Sequence, residues 1–470
     1  MILFIMGLIG LLLISIPSTV LLLIYVVFYL YGTRYRLPRI QDTMYNGIVS
    51  IIIPVRNEPI ELMQEALNDI YSWNIRDNIE VIIISDDPPE RLADIEKLVY
   101  SWRQRGLNVH LIWRSEPKGY KAGALNTALL ASRGKYLYVV DVDSRVSPSF
   151  IVKAANIMMK NKNVAAVVAR WTGKNRDTRV AEAVFASMKF IVDALYKGRS
   201  ALNLPVFPVG TGTLFNAEFI RRELGGWDEE RIQDDMEIGC RIMARGKEIL
   251  FLDDEKVYVE VPRRFKSLRV QQERWAYGSA DTAIARFKDI LKAPLPWYAK
   301  LEAFNFLLQY LPAFLIFLGF LIVAPISYFL NYDFFKELWI LGVPWLVSAV
   351  LYIRYYARSL GECGYSVWRS IVNLGRSSAI TALLTPTISY ALIKAFLRIK
   401  MSFKRTPKGI HEHITNSYRV PVEIIIGVLI LLTGIILVIY GIVYTGLWCL
   451  FYSAGYLYGI YRWGKDLLFK

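Results

Sequence analysis

The chain has 470 residues, 54% of them hydrophobic, and carries 56 Lys and Arg against 41 Asp and Glu, a formal net charge of +15. A mean hydropathy of +0.32 is too high for a purely soluble protein of this length, so membrane segments are expected beside a soluble domain. The basic excess excludes nucleic acid as the expected partner, because Lys and Arg crowd the loops beside apolar runs, where they face the cytosol and anionic lipid.

Ile2 to Tyr31 is an uncharged run long enough to span a bilayer with tilt. A signal peptide would need a basic start, a shorter apolar core and a small-residue cleavage site. Instead Arg34, Arg36 and Arg39 follow the run. Residues 1–33 therefore read as a retained anchor with the N-terminus outside and the following chain in the cytosol.

Residues 45–290 read as a soluble block. Strands are predicted at Val49–Val55, Glu80–Ser85, Asn108–Trp113, Lys135–Val140 and Val164–Arg170. Helices are predicted around Leu62–Tyr71, Arg91–Arg103 and Ala122–Ala131. This alternation predicts an α/β domain with a doubly wound, mainly parallel sheet. Asp86, Asp87, Asp141 and Asp143 all fall just past the carboxyl ends of strands, where the ligand crevice of an open α/β sheet lies. Neither a G-x-G-x-x-G nor a Walker A sequence is present, which argues against a dinucleotide or P-loop site.

Asp86 and Asp87 suit two roles, capping the helix after Pro88-Pro89 or hydrogen bonding to a nucleotide's base or ribose. Asp141-Val142-Asp143 places two carboxylates on one side of an extended segment. They repel unless a cation neutralises them, and Mg²⁺ or Mn²⁺ bridging to diphosphate oxygens would do so. Asp234-Asp235-Met236-Glu237 precedes a predicted helix, where acids favour the helix dipole and where one carboxylate could take a proton from a hydroxyl. None of the three histidines, His110, His411 and His413, competes for that role. Gln271-Gln272-Glu273-Arg274-Trp275 reads as helical, so Gln271, Arg274 and Trp275 share a face. Arg suits a diphosphate, and Trp offers a plate for a sugar ring. The three cysteines, Cys240, Cys363 and Cys449, have no metal-ligand spacing and imply no disulfide framework.

Beyond the soluble block, spans are predicted at Phe304–Leu330 and Phe334–Ile353, a hairpin within 300–355, and at Ile424–Val443 and Leu447–Tyr461, a second within 421–463. The turn Asn331-Tyr332-Asp333 lacks Lys and Arg and belongs outside. The basic stretches Arg354–Arg369 and Arg462–Lys465 belong inside, which leaves the C-terminus cytosolic. Ala379–Leu397 is long enough to cross. Basic segments flank it on both sides, however, and Thr381, Thr385, Pro386, Thr387, Ser389 and Lys394 interrupt it. It is predicted to lie on the cytosolic leaflet within a 375–410 segment, with a further crossing as the alternative.

Taken in order, these residues resemble the membrane-embedded inverting glycosyltransferases of family 2, with a GT-A fold, among them cellulose, chitin and hyaluronan synthases. The resemblance runs through Ile53-Pro54-Val55-Arg56-Asn57-Glu58, Ser85-Asp86-Asp87 and Lys118-Gly119-Tyr120-Lys121-Ala122-Gly123-Ala124-Leu125-Asn126. It continues through Asp141-Val142-Asp143, Gly210-Thr211-Gly212, Gly225-Gly226-Trp227-Asp228, Asp234-Asp235 and Gln271…Arg274-Trp275. It implies that Asp86 or Asp87 binds the nucleotide, with Lys121 nearby. Asp143 would be the chief metal ligand, with Asp141 beside it on the donor, and Asp235 the general base. Gln271, Arg274 and Trp275 would hold diphosphate and acceptor, and Gly210-Thr211-Gly212 would belong to the same region. Phe403-Lys404-Arg405-Thr406-Pro407-Lys408 is similar to the family's gating loop, which implies Thr406 and Lys408 on the diphosphate.

Two departures stand out. Gln233-Asp234 replaces the usual Glu or Thr-Glu before the base, and Arg405 stands where cellulose synthases have Val. The implied activity is inverting transfer from a nucleotide sugar, UDP-linked by this resemblance, to a growing β-linked polysaccharide in the cell membrane, with translocation. The alternative is a single transfer to a polyprenyl phosphate or ceramide-like lipid. The implied partners are a nucleotide sugar, a glycan or lipid acceptor and membrane lipid. A homo-oligomer is compatible with this, and no extracytoplasmic partner is specified.

Overall fold

The computed structural model describes residues 1–38, 45, 47–402 and 417–469. The expected gating loop, with Thr406 and Lys408, lies outside the described residues, as do His411 and His413.

Four strands form the parallel half of the sheet: β1 (Val49–Val55), β2 (Ile79–Ser85), β3 (Val109–Trp113) and β4 (Tyr136–Val139). Val49 lies opposite both Ile79 and Tyr136, and Val81 lies opposite Val109. The β-branched runs of β1 and β2 are buried on both faces, as the centre of a parallel sheet covered by helices requires, whereas the edge strand β3 is mostly half-buried. Leu67, Ile95, Trp102 and Phe150 cover one face, while Leu125, Ala128, Ile238 and Ile242 cover the other.

The second half is mixed and was only partly expected. It contains β5 (Arg145–Val146), β6 (Val164–Gly173), β7 (Thr213–Asn216) and β8 (Glu248–Val259). The spatial order is β3-β2-β1-β4-β7-β6-β8-β5. β7 runs antiparallel to both β4 and β6, and β8 runs parallel to β6. Along β6 and β8 the register jumps: Ala169 pairs with Leu252, but Arg170 pairs with Lys256. The extruded Asp253-Asp254-Glu255 meets Arg170, Lys197 and Lys153, so this acidic run is a bulge inside a strand rather than a loop.

Five helices among the described residues are long and apolar enough to cross a membrane: Ile2–Gly32, Leu311–Leu330, Trp339–Gly361, Val367–Phe396 and Val422–Ile439. The predicted span Phe304–Leu330 is interrupted. One helix ends at Leu307 and the next begins at Leu311, with Pro312 in its first turn. The segment from Phe334 holds a short helix and a 3-10 turn before the long helix Gly342–Gly361. The segment expected to lie on the leaflet belongs to a longer helix, Val367–Phe396. The most apolar window of that helix is 61% buried, against 11% to 39% for the other four. The reason is packing on two sides, against Arg179–Ile191 and Phe265–Ala285 and against Leu311–Leu330 and Val443–Leu468. Leu447–Tyr461 falls within Val443–Leu468, which is not one of those five.

The N-terminal helix packs along Leu311–Leu330 through glycines. A Cβ on Gly319 would lie 2.6 Å from the Gly10 carbonyl oxygen, so the two backbones are in contact there.

Candidate active site

A cavity of about 1310 Å³ opens at the carboxyl ends of β1, β2 and β4 and is also lined by residues of the long apolar helices. Of the sequence-predicted residues, Asp86, Lys121, Asp141, Asp143, Gly210, Thr211, Asp235, Gln271, Arg274 and Trp275 line it. Asp87 and Gly212 do not line it.

Adjacent residues on extended chain point opposite ways, and this separates the first acidic pair. Asp86 faces the cavity, and both of its oxygens accept from Arg114, Oδ1 from Nε at 2.6 Å and Oδ2 from Nη2 at 2.5 Å. Asp87 turns inward, accepting from the Asn57 backbone N–H and the Ser85 hydroxyl, each at 2.8 Å, and pairing with Arg91 at 3.1 Å. Neither carboxylate caps the helix Pro89–Gln104, whose N-cap is Pro88 with no side-chain bond.

The pair after β4 is held by the Gly210–Gly212 loop and by Lys121. The Asp141 backbone N–H donates to Thr211 Oγ1 at 3.1 Å. Lys121 Nζ donates to Asp141 Oδ1 at 2.9 Å and to the Gly210 carbonyl at 2.6 Å. Asp143 is 6% exposed. A Cβ on Gly210 would lie 3.3 Å from Asp235 Oδ2 and 3.7 Å from Lys121 Nζ, so the absence of a side chain lets the ammonium and this carboxylate share one corner. Gly212 has φ +94°, and a side chain there would strike Val257. Its part is to turn the loop into β7.

Asp234 and Asp235 open the helix Asp234–Ala244. Asp235 Oδ1 accepts from the Met236 N–H at 2.7 Å and from Gln233 Nε2 at 2.9 Å. Gln233, the residue that departs from the family pattern, thus orients the carboxylate with an amide donor. Burial, and then the Asp234 charge, push Asp235 up to about 6. Burial also raises Asp234. Burial alone would lower Lys121, but the charges of Asp141, Asp234 and Asp235 outweigh it and hold the ammonium above its ordinary value. Burial pulls Arg274 down, against the same three carboxylates.

The helix Phe265–Ala285 brings Gln271, Arg274 and Trp275 to the cavity on one face, as their spacing predicts. Sequence reasoning missed two neighbours, Arg114 and Trp171. Trp171 lines the same cavity, tilts 33° against Trp275 with ring centroids 6.2 Å apart, and donates its indole N–H to the Thr211 carbonyl at 2.8 Å. Its one sequence signal is a large aromatic near the end of a strand of small residues.

Among the described residues no cluster of three or more His, Cys, Asp or Glu could hold a metal. The Asp141 and Asp143 pair still fits a hard divalent ion of the Mg²⁺ or Mn²⁺ kind. Such ions take one or two carboxylates and complete their shells with phosphate oxygens and water.

The sequence model of glycosyl transferase family group 2 matches residues 136–458. A probable glycosyltransferase of Sulfolobus acidocaldarius is 32% identical over 426 residues, covering 89% of this chain and 90% of that protein. The probable glucomannan 4-beta-mannosyltransferase 7 of Oryza sativa is 26% identical over 320 residues, covering 65% of this chain and 53% of its own length. The chain thus spans about half of that plant relative. Among solved structures, the mannosyltransferase of Pyrobaculum calidifontis in complex with GDP-Man and Mn²⁺ superposes with a TM-score of 0.57 at 20% identity. That likeness covers 84% of this chain and 100% of the other, and it is one of fold, a GT-A-like sheet with its helices. With the family match extending over more than half of its length and a relative aligned nearly end to end, the chain belongs to glycosyl transferase family group 2 and is a glycosyltransferase.

Proposed function

We propose that this chain is an inverting transferase that moves a hexose from a nucleotide sugar onto a hydroxyl of a growing β-linked glycan at the membrane. One observation carries the reading: Asp86, Asp141, Asp143, Asp235 and the Arg274-Trp275 pair all face a single cavity that runs on between the membrane helices. Asp86 contacts the nucleotide. Arg274, and Thr406 and Lys408 from the 403–408 segment, take the diphosphate. Asp143 and Asp141 would hold a divalent ion, which when bound would supply positive charge to the departing diphosphate. Asp235 accepts the proton of the acceptor hydroxyl. The acceptor oxygen bonds the anomeric carbon from the face opposite the diphosphate, the bond to the diphosphate breaks, and the linkage inverts.

The names of the relatives make GDP-mannose the first donor to test, beside the UDP-sugars implied by the motif resemblance. A single transfer to a lipid is the second reading, favoured by apolar lining such as Leu21, Leu22 and Ile316. The soluble domain faces the cytosol in both readings, with Arg34 and Arg36 at the end of the first span.

The test uses the purified full chain in nanodiscs with labelled GDP-mannose, UDP-glucose and UDP-N-acetylglucosamine. The expected result is metal-dependent nucleotide release with one donor and a β-linked product several sugars long. A product of one sugar on one lipid would replace this reading with the second.

A further inference from the structure

Between Trp297–Leu307 and Leu311–Leu330 the chain breaks for three residues. The break lies where a continuous span was expected, and it brings Gln309 and Tyr310 to the cavity wall. There the Tyr310 hydroxyl donates to Gln272 Oε1 at 2.9 Å. Gln272 stands three residues before Trp275, so it adjoins that ring on the helix surface. Gln272 lines the cavity as well.

A hexose presents an apolar C–H face and a rim of hydroxyls that both donate and accept. Recognising it takes an aromatic surface with side chains of both polarities at its edge. Trp275 with Trp171 supplies the surface. Two carboxamides and a phenol supply the edge, and each can donate and accept. All three are uncharged, whereas a phosphate would call for Arg or Lys. Gln309 and Tyr310 also stand just before Leu311–Leu330, one of the long apolar helices whose residues line the cavity.

We propose that Gln272, Gln309 and Tyr310 form an acceptor subsite for the second sugar unit of a neutral glycan, behind the unit held on Trp275. This rests on the glycan-extension reading above and deepens it by fixing the preferred acceptor as a chain of at least two sugars. The hydrogen bond between Tyr310 and Gln272 keeps both polar groups paired until a saccharide hydroxyl inserts between them.

The test measures kcat/KM for β-linked mono-, di- and trisaccharides of the donor sugar, with the full chain in nanodiscs. The wild type is expected to gain about tenfold from one unit to two, the scale of a few well-placed hydrogen bonds, and little more from two to three. Tyr310→Phe and Gln309→Ala should each collapse that ratio toward one. Because the ratio compares two acceptors on the same enzyme, a general loss of folded protein cancels. A wild-type rate independent of chain length, or a ratio unchanged in both variants, overturns the subsite and leaves glycan extension standing. Transfer to lipid alone overturns the reading beneath it.

Discussion

Asp235 sits in the first turn of a helix with two N–H donors on one oxygen, an arrangement that by itself would lower its pKa. Burial and Asp234 win, and the group rises to about 6. The folded state therefore binds this proton more tightly than the unfolded chain. Ionised Asp235 destabilises the fold above about pH 6, and the penalty fades as pH falls toward the ordinary carboxylate value. A base must be ionised to work, so kcat/KM should fall as pH drops through about 6. Asp235→Asn should then cut turnover by roughly 10³-fold, keep nucleotide binding and raise the apparent unfolding temperature. Turnover within tenfold of wild type would remove the assigned base. At the neighbouring pair, chelation by EDTA should abolish transfer and added Mn²⁺ should restore it, while Asp143→Asn should raise the Mn²⁺ needed for half-maximal rate at least about tenfold. An unchanged Mn²⁺ titration would free Asp143 of that role. The sequence made these acids legible because each is a short local word at a strand or helix end. It could not separate Asp86 from Asp87, since the local partners Ser85 and Arg91 are only two and four residues from Asp87, and the Asn57 backbone N–H that also holds it inward comes from a distant strand end. Trp171 escaped for the same reason, because its meaning comes from Trp275, about a hundred residues away.

The helix Phe265–Ala285 carries three of the site residues, and the last two helices, Val422–Ile439 and Val443–Leu468, hold its first turns. Arg269 Nη1 lies 3.5 Å from Glu423 Oε1 at the start of Val422–Ile439, and Arg419 pairs with the same carboxylate. The Phe265 backbone N–H donates to Asp466 at 3.0 Å near the end of the last helix. The Glu423 side chain is 2% exposed and that of Arg269 is 11% exposed, so removing one partner strands a poorly solvated charge. Glu423→Ala should cost about 3 kcal/mol of stability and raise the KM for acceptor through a loosened Phe265–Ala285 helix. Thermal unfolding in detergent and acceptor titration check the two effects, and a silent Glu423→Ala would mean that the helix stands without this tie. At the same scale, the parallel half of the sheet was readable from β-branched runs alternating with amphipathic helices. Of the mixed half, only β6 was, as the predicted strand Val164–Arg170. β7 is four residues long, and β8 hides three consecutive acids whose partners Arg170, Lys197 and Lys153 are distant in sequence. Hydropathy also ran straight through Leu308–Tyr310, because averaging over so apolar a run dilutes the two residues that mark the break, Gln309 and Pro312.

Across the whole molecule one cavity joins the sheet and the long apolar helices. It begins among acids that suit a nucleotide and a metal, and it ends among residues of Ile2–Gly32, Gly342–Gly361, Val367–Phe396 and Val443–Leu468. A polymerising enzyme must clear each added unit from Asp235 before the next, and a continuous path gives the product somewhere to go. A single-transfer enzyme needs room for one lipid only. Ala349 lines this cavity from Gly342–Gly361, one of the long apolar helices. Ala349→Trp puts an indole with roughly 150–250 Å² of surface into that path. If the glycan threads it, the variant should release nucleotide in a short burst, stall, and make products markedly shorter than wild type, with the KM for donor unchanged. Gel separation of labelled products against time reads both features. A wild-type length distribution from Ala349→Trp would mean that the glycan leaves by another route, and the membrane part of the cavity would then have to serve the acceptor's lipid rather than its sugars.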